Sequence, residues 1–401
     1  MVVTWVIFPL VTDSHLALVL SGGGARAAYQ VGFLRHLVSR FPDIAPGILT
    51  GVSAGGIIAA HIAARPRNLA DSVADLSALW ETLQIDDVFT VDPRELASRV
   101  TRWGFRLVSG GAAGSQRMRS LVDTQPLRSL LVRTLRPNGV GMLEDIARNL
   151  AGGHLDALAL TASSYTTGQS VTWVQKRDGC SRLLAGSAAR PIAHSTLRVE
   201  HVMASSALPF FFPAVEVDGS WYGDGGIRLT APLSPAIQLG ARRIMAVTTR
   251  YARSPQEAAE PEVAGYPPPA QVAGVLLNAI FLDSLDGDAA RLNLVNGLID
   301  RLSPDRRNGL RKIDLLVLRP SRDLGRLANE FEAALPRGFR FLVRGLGSRE
   351  TRANDMLSLL MFQPDYIGRL IELGEADARA RSAEIAAFLG DGPREDARFG
   401  D

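Results

Sequence analysis

Ser53 lies in Gly51-Val52-Ser53-Ala54-Gly55, which has G-x-S-x-G spacing. Where that spacing joins a strand to a helix, the serine sits on a strained turn with its hydroxyl exposed, and the glycines allow close backbone approach. The helix behind it would also aim the positive end of its dipole at a developing oxyanion. The plain structural alternative is a glycine-rich turn with an N-capping serine. Gly22-Gly23-Gly24-Ala25-Arg26 forms a second junction of this kind. Consecutive glycines leave backbone N–H groups unshielded, so they can hold an oxyanion or a phosphate. A dinucleotide fingerprint would need glycine at Ala27 and an acid on a strand end about 20 residues later. Asp43 stands in a Phe-Pro-Asp turn instead. No Gly-Lys-Ser/Thr follows, so a Walker loop is excluded. An oxyanion hole serving Ser53 is the better use of the loop, with a structural turn as the alternative. Asp224 lies in Gly223-Asp224-Gly225-Gly226. Such a turn projects a carboxylate from a strand end, or merely lets the aspartate stabilise its own turn.

These groups need strands that end together. Leu16 to Leu20 is a continuous apolar run, the pattern of a buried parallel strand, and it leads into the glycine loop. Tyr29, Val31, Phe33, Leu34, Leu37 and Val38 then supply a helical apolar face. Ile48 and Leu49 lead to Ser53, and the helix-forming run Gly56 to Ala64 follows. Strand, tight turn and helix therefore occur twice. Helical steps continue through Leu69, Val73, Leu76, Trp80 and Leu83. Asp92-Pro93-Arg94-Glu95 and Asp123 to Leu135 read as capped helix starts, and Gly104 to Gly114 between them reads as a mobile loop. Further strands are expected at Ala157 to Leu160, Ser170 to Val174, Ile244 to Val247 and Ile313 to Leu318. Ser254 to Pro269 is the best linker candidate, and the chain beyond it is otherwise mainly helical. This alternation predicts an α/β fold, its sheet mostly parallel and flanked by helices.

Composition removes several chemistries. Cys180 is the single cysteine, so a disulfide framework and a cysteine-based zinc or iron–sulfur site are excluded. The six histidines form no H-x-x-x-H pair, which argues against a histidine metal site. The 44 basic residues are almost all arginine, Lys176 and Lys312 being the only lysines, and 41 acids interleave with them. A solvated mixed surface explains this charge pattern better than nucleic-acid binding does. Val2 to Val11 falls short of the about 20 apolar residues that a membrane span needs. It also lacks the basic start and cleavage site of a signal peptide. The expected location is cytoplasmic, with contact to membranes from outside as an option.

Taken together, the glycine loop Gly22 to Arg26, the elbow Gly51 to Gly55 and Asp224-Gly225-Gly226 resemble, in order and spacing, the three signatures of the patatin-like phospholipases. Ala204 to Pro209 with Phe212-Pro213, and Asp123 to Leu127, resemble further family segments. Asp355 to Phe362 and Ile371 to Ala378 resemble the C-terminal part of longer bacterial members. Ala27 departs from the pattern at a position where many members have glycine. The resemblance implies a three-layer patatin-like fold with a helical C-terminal extension. Residues 1–15 would be a lead-in, 16–250 the catalytic domain, and 251–401 the extension packing on the core. It implies a Ser53–Asp224 dyad that hydrolyses acyl esters of lipids, without calcium or any cofactor. Backbone N–H groups of the Gly22, Gly23 and Gly24 loop, with Ala54, would hold the oxyanion. Arg26 would either contact an anionic headgroup or pair with an acid. Two rivals stay open: a Ser-Asp-His esterase of small substrates, and a non-catalytic lipid-binding module. All six histidines precede Asp224, and the triad order Ser, acid, His leaves none to follow it. Phe210 to Phe212 and Trp103-Gly104-Phe105 could line an acyl pocket, or pack in the core. The apolar stretch Val272 to Ile299 fits a lid, a membrane-contact helix or a buried helix.

Overall fold

The computed structural model describes residues 13–65, 68–90, 120–178, 191–261, 263, 265–281, 284–307, 309–335, 340 and 354–390. The expected helix start at Asp92, the segment Gly104 to Gly114, Trp103 to Phe105, Cys180 and residues 1–12 lie outside them.

The strands are β1 (Asp13–Leu20), β2 (Pro46–Val52), β3 (Ala157–Ser164), β4 (Ser170–Lys176), β5 (Ile192–His194), β6 (Val215–Val217), β7 (Ser220–Asp224), β8 (Arg243–Val247) and β9 (Asp314–Leu318). They join in one sheet of order β5-β4-β3-β2-β1-β8-β9, with β7 paired to β3 and β6. The central strands β3, β2, β1, β8 and β9 run parallel, while β4 and β7 lie antiparallel to β3. β2, β3 and β8 are buried along their whole length, and apart from Arg243 at the start of β8 their sequences are runs of apolar and small residues.

The helices that matter below are α1 (Ala28–Arg40), α2 (Ala54–Ala63), α3 (Leu69–Glu81), α4 (Gln125–Leu135), α5 (Val199–Ser205), α6 (Pro269–Phe281), α7 (Ser284–Asp300), α8 (Asp355–Leu360) and α9 (Pro364–Ala380). Side chains alternate along each strand, so Leu18 and Leu20 enter one core with α1, α2, α3 and α9. Ala17 and Val19 enter a second core with α7 on the opposite face. The result is three layers, helices on both sides of a sheet. α1 and α9 cross so closely that a Cβ on Gly32 would lie 1.9 Å from the Ile371 carbonyl oxygen.

The register brings the motifs together. Leu20 stands opposite Gly51 and Val247, and Gly51 opposite Leu160, so the glycine loop and the elbow leave the sheet at one edge. β2 accompanies β3 as far as Val52 beside Thr161, then turns away. β4 occupies the other side of β3 through Ser163. β7 therefore enters the lane that β2 has left, and sets Asp224 beside Ala162. A large gap in sequence between Ser53 and Asp224 closes in this way.

Two expectations change in detail. β1 begins at Asp13 rather than Leu16. The linker candidate contains a capped helical turn, Pro255–Ala259, where Ser254 Oγ accepts from Glu257 N at 3.2 Å and Glu257 Oε2 accepts from Ser254 N at 2.8 Å. The Ser-x-x-Glu spacing carried that signal.

Candidate active site

Ser53 adopts φ 56° and ψ −133°, a strained backbone for a residue with a side chain. Its neighbours explain how the turn holds. A Cβ on Gly51 would lie 2.5 Å from the Gly55 carbonyl oxygen, and one on Gly55 would lie 2.4 Å from those of Leu20 and Ser21. Glycine at both positions lets the turn collapse on itself and seats α2 against the end of β1. The Ser53 N–H donates to the Ser205 carbonyl at 3.1 Å and to Ser205 Oγ at 3.2 Å. Ser205 Oγ in turn donates to the Thr161 carbonyl at 2.7 Å. The Ser53 amide is thus committed to α5. The Ala54 N–H, at the first position of α2, takes no acceptor among the described residues.

The glycine loop is held differently. Gly23 and Gly24 have φ 153° and 54°, which favour glycine. Thr249 Oγ1 donates to the Gly22 carbonyl at 2.8 Å. Gln30 Nε2 donates to the carbonyls of Ser21 at 2.9 Å and Val247 at 3.0 Å. The carbonyls are thereby drawn away from the site, and Gly23 and Gly24 line the pocket beside Ser53 and Ala54. Gly22 does not line it; a Cβ there would lie 3.0 Å from Ser53 Cβ. Its part is to let the loop pass against the nucleophile candidate. Arg26 does not line the pocket among the described residues. It is 3% exposed, and its guanidinium pairs with Asp355 Oδ1 at 2.6 Å and donates from Nε to Ser358 Oγ at 2.6 Å. Its charge is neutralised inside the protein, by an acid on α8 rather than by a ligand.

Asp224 is fully buried. Its Oδ1 accepts from Gly226 N at 2.9 Å, and its own N–H donates to the Ala207 carbonyl at 2.8 Å. Oδ2 is buried and accepts no backbone N–H among the described residues, and the Ser53 hydroxyl neighbours the carboxyl. Burial pushes the carboxyl up from 3.8 to about 7, with the neighbouring Ser53 hydroxyl and the Gly226 N–H opposing that rise. The aspartate thus does stabilise its own turn, with one oxygen, and keeps the other available. Gly225 is needed because a Cβ there would lie 2.2 Å from the Thr161 carbonyl oxygen.

Ser53, Gly23, Gly24 and Ala54 open onto a pocket of about 750 Å³, its mouth included. Trp80 and Leu83 at the end of α3, Leu127 and Leu130 of α4, and Leu359 and Leu360 of α8 form much of its apolar wall. The aromatic run divides three ways. Phe212 lines the pocket, Phe211 packs edge-on against Phe89, and Phe210 is 86% exposed. Among the described residues, no histidine lines the pocket. His61 and His201 are buried elsewhere, and burial pushes both down to about 4. His201 Nδ1 accepts from Arg198 N at 3.0 Å, His36 Nε2 meets Ser382 Oγ, and His154 lines a different cleft beside Pro42 and Asn149. No group of three or more His, Cys, Asp or Glu could hold a metal ion among the described residues.

The sequence marks Ser205 only as part of a family segment, and nothing in it singles out Thr249 or Gln30. Ser205 and Ala207 hold the amides of Ser53 and Asp224 respectively, so a single segment sets the spacing of both. Thr249 and Gln30 carried no local signal, because their partners come from other strands.

The family described as Patatin, patatin-like phospholipase, matches residues 18–237. No curated protein sequence matches the chain. Among solved structures, the chain is similar to human GIVD cytosolic phospholipase A2 in complex with methyl gamma-linolenyl fluorophosphonate, at 13% identity and TM-score 0.41, over 95% of this chain and 59% of that one. It is similar to VipD from Legionella pneumophila at 14% identity and TM-score 0.33, over 90% of this chain and 67% of that one. A chain of the ExoU–SpcU complex from Pseudomonas aeruginosa matches at 20% identity and TM-score 0.24, over 41% of this chain and 35% of that one. The chain thus spans 59% of the length of the human enzyme. The family match covers more than half of the 401 residues and contains the glycine loop, the elbow and the Asp224 turn, and the chain belongs to the patatin-like phospholipase family.

Proposed function

We propose that the protein is a serine lipid acyl hydrolase in which Ser53 and Asp224 act as a dyad. The observation that carries this reading is a serine on a strained elbow, beside a buried carboxylate, at the wall of an apolar pocket. Ser53 Oγ attacks the ester carbonyl, and Asp224 Oδ2 takes the hydroxyl proton. The N–H groups of Gly23 and Gly24, with that of Ala54, receive the oxyanion. Collapse of the tetrahedral intermediate releases the alcohol, which leaves with the proton from Asp224. The carboxylate then takes a proton from water, whose oxygen attacks the acyl-serine, and returns that proton to Ser53 Oγ as the fatty acid departs. A general base works best with a pKa near the working pH. At about 7, Asp224 has the basicity usually supplied by an imidazole.

The apolar pocket wall supports an acyl chain as the bound group, and the family supports a phospholipid or lysophospholipid as its source. The location proposed is cytoplasmic with peripheral membrane contact. No helix of the described residues is long and apolar enough to cross a membrane. Phe210 on the aromatic run, and Val272, Val275 and Leu276 on α6, are exposed apolar side chains suited to such contact. The proposal treats residues 251–401 as part of the catalytic unit, since α8 walls the pocket and β9 extends the sheet.

The test is incubation of wild type and Ser53→Ala with a mixed lipid extract and with a fluorophosphonate. Released fatty acids identified by mass spectrometry, and a single labelled peptide containing Ser53, are expected for wild type alone. Labelling that persists in folded Ser53→Ala sinks the reading, and lipid binding without release or labelling favours a non-catalytic module.

A further inference from the structure

α8 meets the glycine loop at two points. At its N-terminal end, Asp355 Oδ1 accepts from Arg26 Nη2 at 2.6 Å, and Ser358 Oγ accepts from Arg26 Nε at 2.6 Å. Ser358 Oγ also donates to the Asp355 carbonyl at 2.7 Å, and that carbonyl accepts a further bond from Arg26 Nη2 at 3.2 Å. At the C-terminal end the Leu359 carbonyl presses on Gly24, where a Cβ would come within 2.1 Å of its oxygen. Asp355 Oδ2 accepts from Asn278 of α6, so the same carboxylate also fixes the neighbouring helix. Arg26 stands in the 3₁₀ turn that begins at Gly24. The anchored Arg26 side chain thus lies two residues from Gly24 in the same turn.

Resting on the hydrolase reading, we infer that Asp355 is a positioning residue for the oxyanion loop, acting through Arg26. A planar guanidinium held at two of its nitrogens by a carboxylate and a hydroxyl has a fixed direction. A loop of three glycines has no side chains of its own to fix it. The arrangement stabilises a charge that exists only in the transition state, so loosening it lowers kcat more than it raises KM.

The experiment uses the full chain and p-nitrophenyl butyrate, a soluble ester that needs no membrane. Asp355→Asn should lower kcat by about 10- to 100-fold, with KM within about twofold, since one oxyanion donor is worth about 10²–10³ when lost entirely. Fluorophosphonate inactivation should slow in parallel. In an Arg26→Met background, which replaces the buried charge, Asp355→Asn should cost less than about twofold. Ser358→Ala, which leaves the ion pair in place, should lower kcat by about 3- to 10-fold and serves if Asp355→Asn does not fold. A folded Asp355→Asn with wild-type kcat overturns the inference and leaves the hydrolase reading intact. So does an equal loss with and without Arg26. A wild type that neither turns over nor labels removes both.

Discussion

The two glycine turns at the ends of β1 and β2 face the same pocket and are held by different means. The elbow is locked partly from within, Gly51 against Gly55, and partly by its packing on β1 and α5. Its glycines contact each other and the end of β1, and Ser53 keeps φ 56° because α5 takes its amide. The glycine loop is locked from outside, by Thr249 of the segment after β8, Gln30 of α1, and Arg26 through α8. On the proposed mechanism, the difference follows from what each would present. A nucleophile is one side chain, and local backbone strain can aim it. An oxyanion hole is a set of main-chain donors, and only distant groups can brace a main chain that has no side chains.

The largest effect should come from the elbow. Ser53→Gly should lower turnover by at least about 10⁴-fold. It should also raise stability by about 1 kcal/mol, because glycine accepts the strained turn without cost. Kinetics beside thermal unfolding would show the trade, and a destabilised Ser53→Gly would contradict the strain account. Next comes Gly24→Val, expected to lose about 10²–10³ in kcat. Its Cβ would meet the Leu359 carbonyl, so the loop or α8 must move while Ser53 and Asp224 remain. Near-wild-type turnover in a folded variant would mean that the loop is not the oxyanion hole.

Asp224→Asn should lower kcat by at least about 10²-fold. Stability moves the other way. The native carboxyl holds its proton up to about 7, against 3.8 when unfolded, so the stability it confers is complete below 3.8 and is lost as pH rises through 7. Asp224→Asn should accordingly be more stable than wild type at pH 8, by up to about 4 kcal/mol, with the advantage gone near pH 4. Urea unfolding at both pH values reads this directly. Wild-type kcat should rise through about pH 7 and then level off. The smallest effects belong to the histidines. His154→Gln, His194→Gln and His201→Gln should each leave kcat within about threefold if folded. One as inactive as Asp224→Asn would establish a triad.

Much of this was legible. The apolar runs before Gly22 and Ser53 fixed both turns, and side-chain alternation in β1 set the two cores. The helix at Gln125 was marked by Asp123 and Pro126, and Asp123 Oδ1 accepts from Gln125 N at 3.0 Å. What escaped was long-range. Arg26 finds Asp355 329 residues away, and nothing near Arg26 announces an acid on α8. Phe210 to Phe212 look alike as letters, yet a positive φ of 65° at Phe210 turns one ring outward while its neighbours turn in. Periodicity cannot forecast such a twist. That α8 walls the pocket was not legible either, because a helix of this length has no periodic signature of its own.

The lane beside β3 that β2 vacates and β7 occupies has a consequence for the order of folding. β1, β2 and their helices can assemble from contacts close in sequence, which form quickly. Asp224 joins only when a much later strand has zipped onto β3 beyond Thr161. On the proposed dyad, the elbow can therefore exist before Asp224 reaches it, so a partly folded chain would carry an intact elbow with no base to activate it. Hydrolytic competence on that dyad reports on the docking of β7 onto β3, and its appearance during refolding should lag the burial of Trp80.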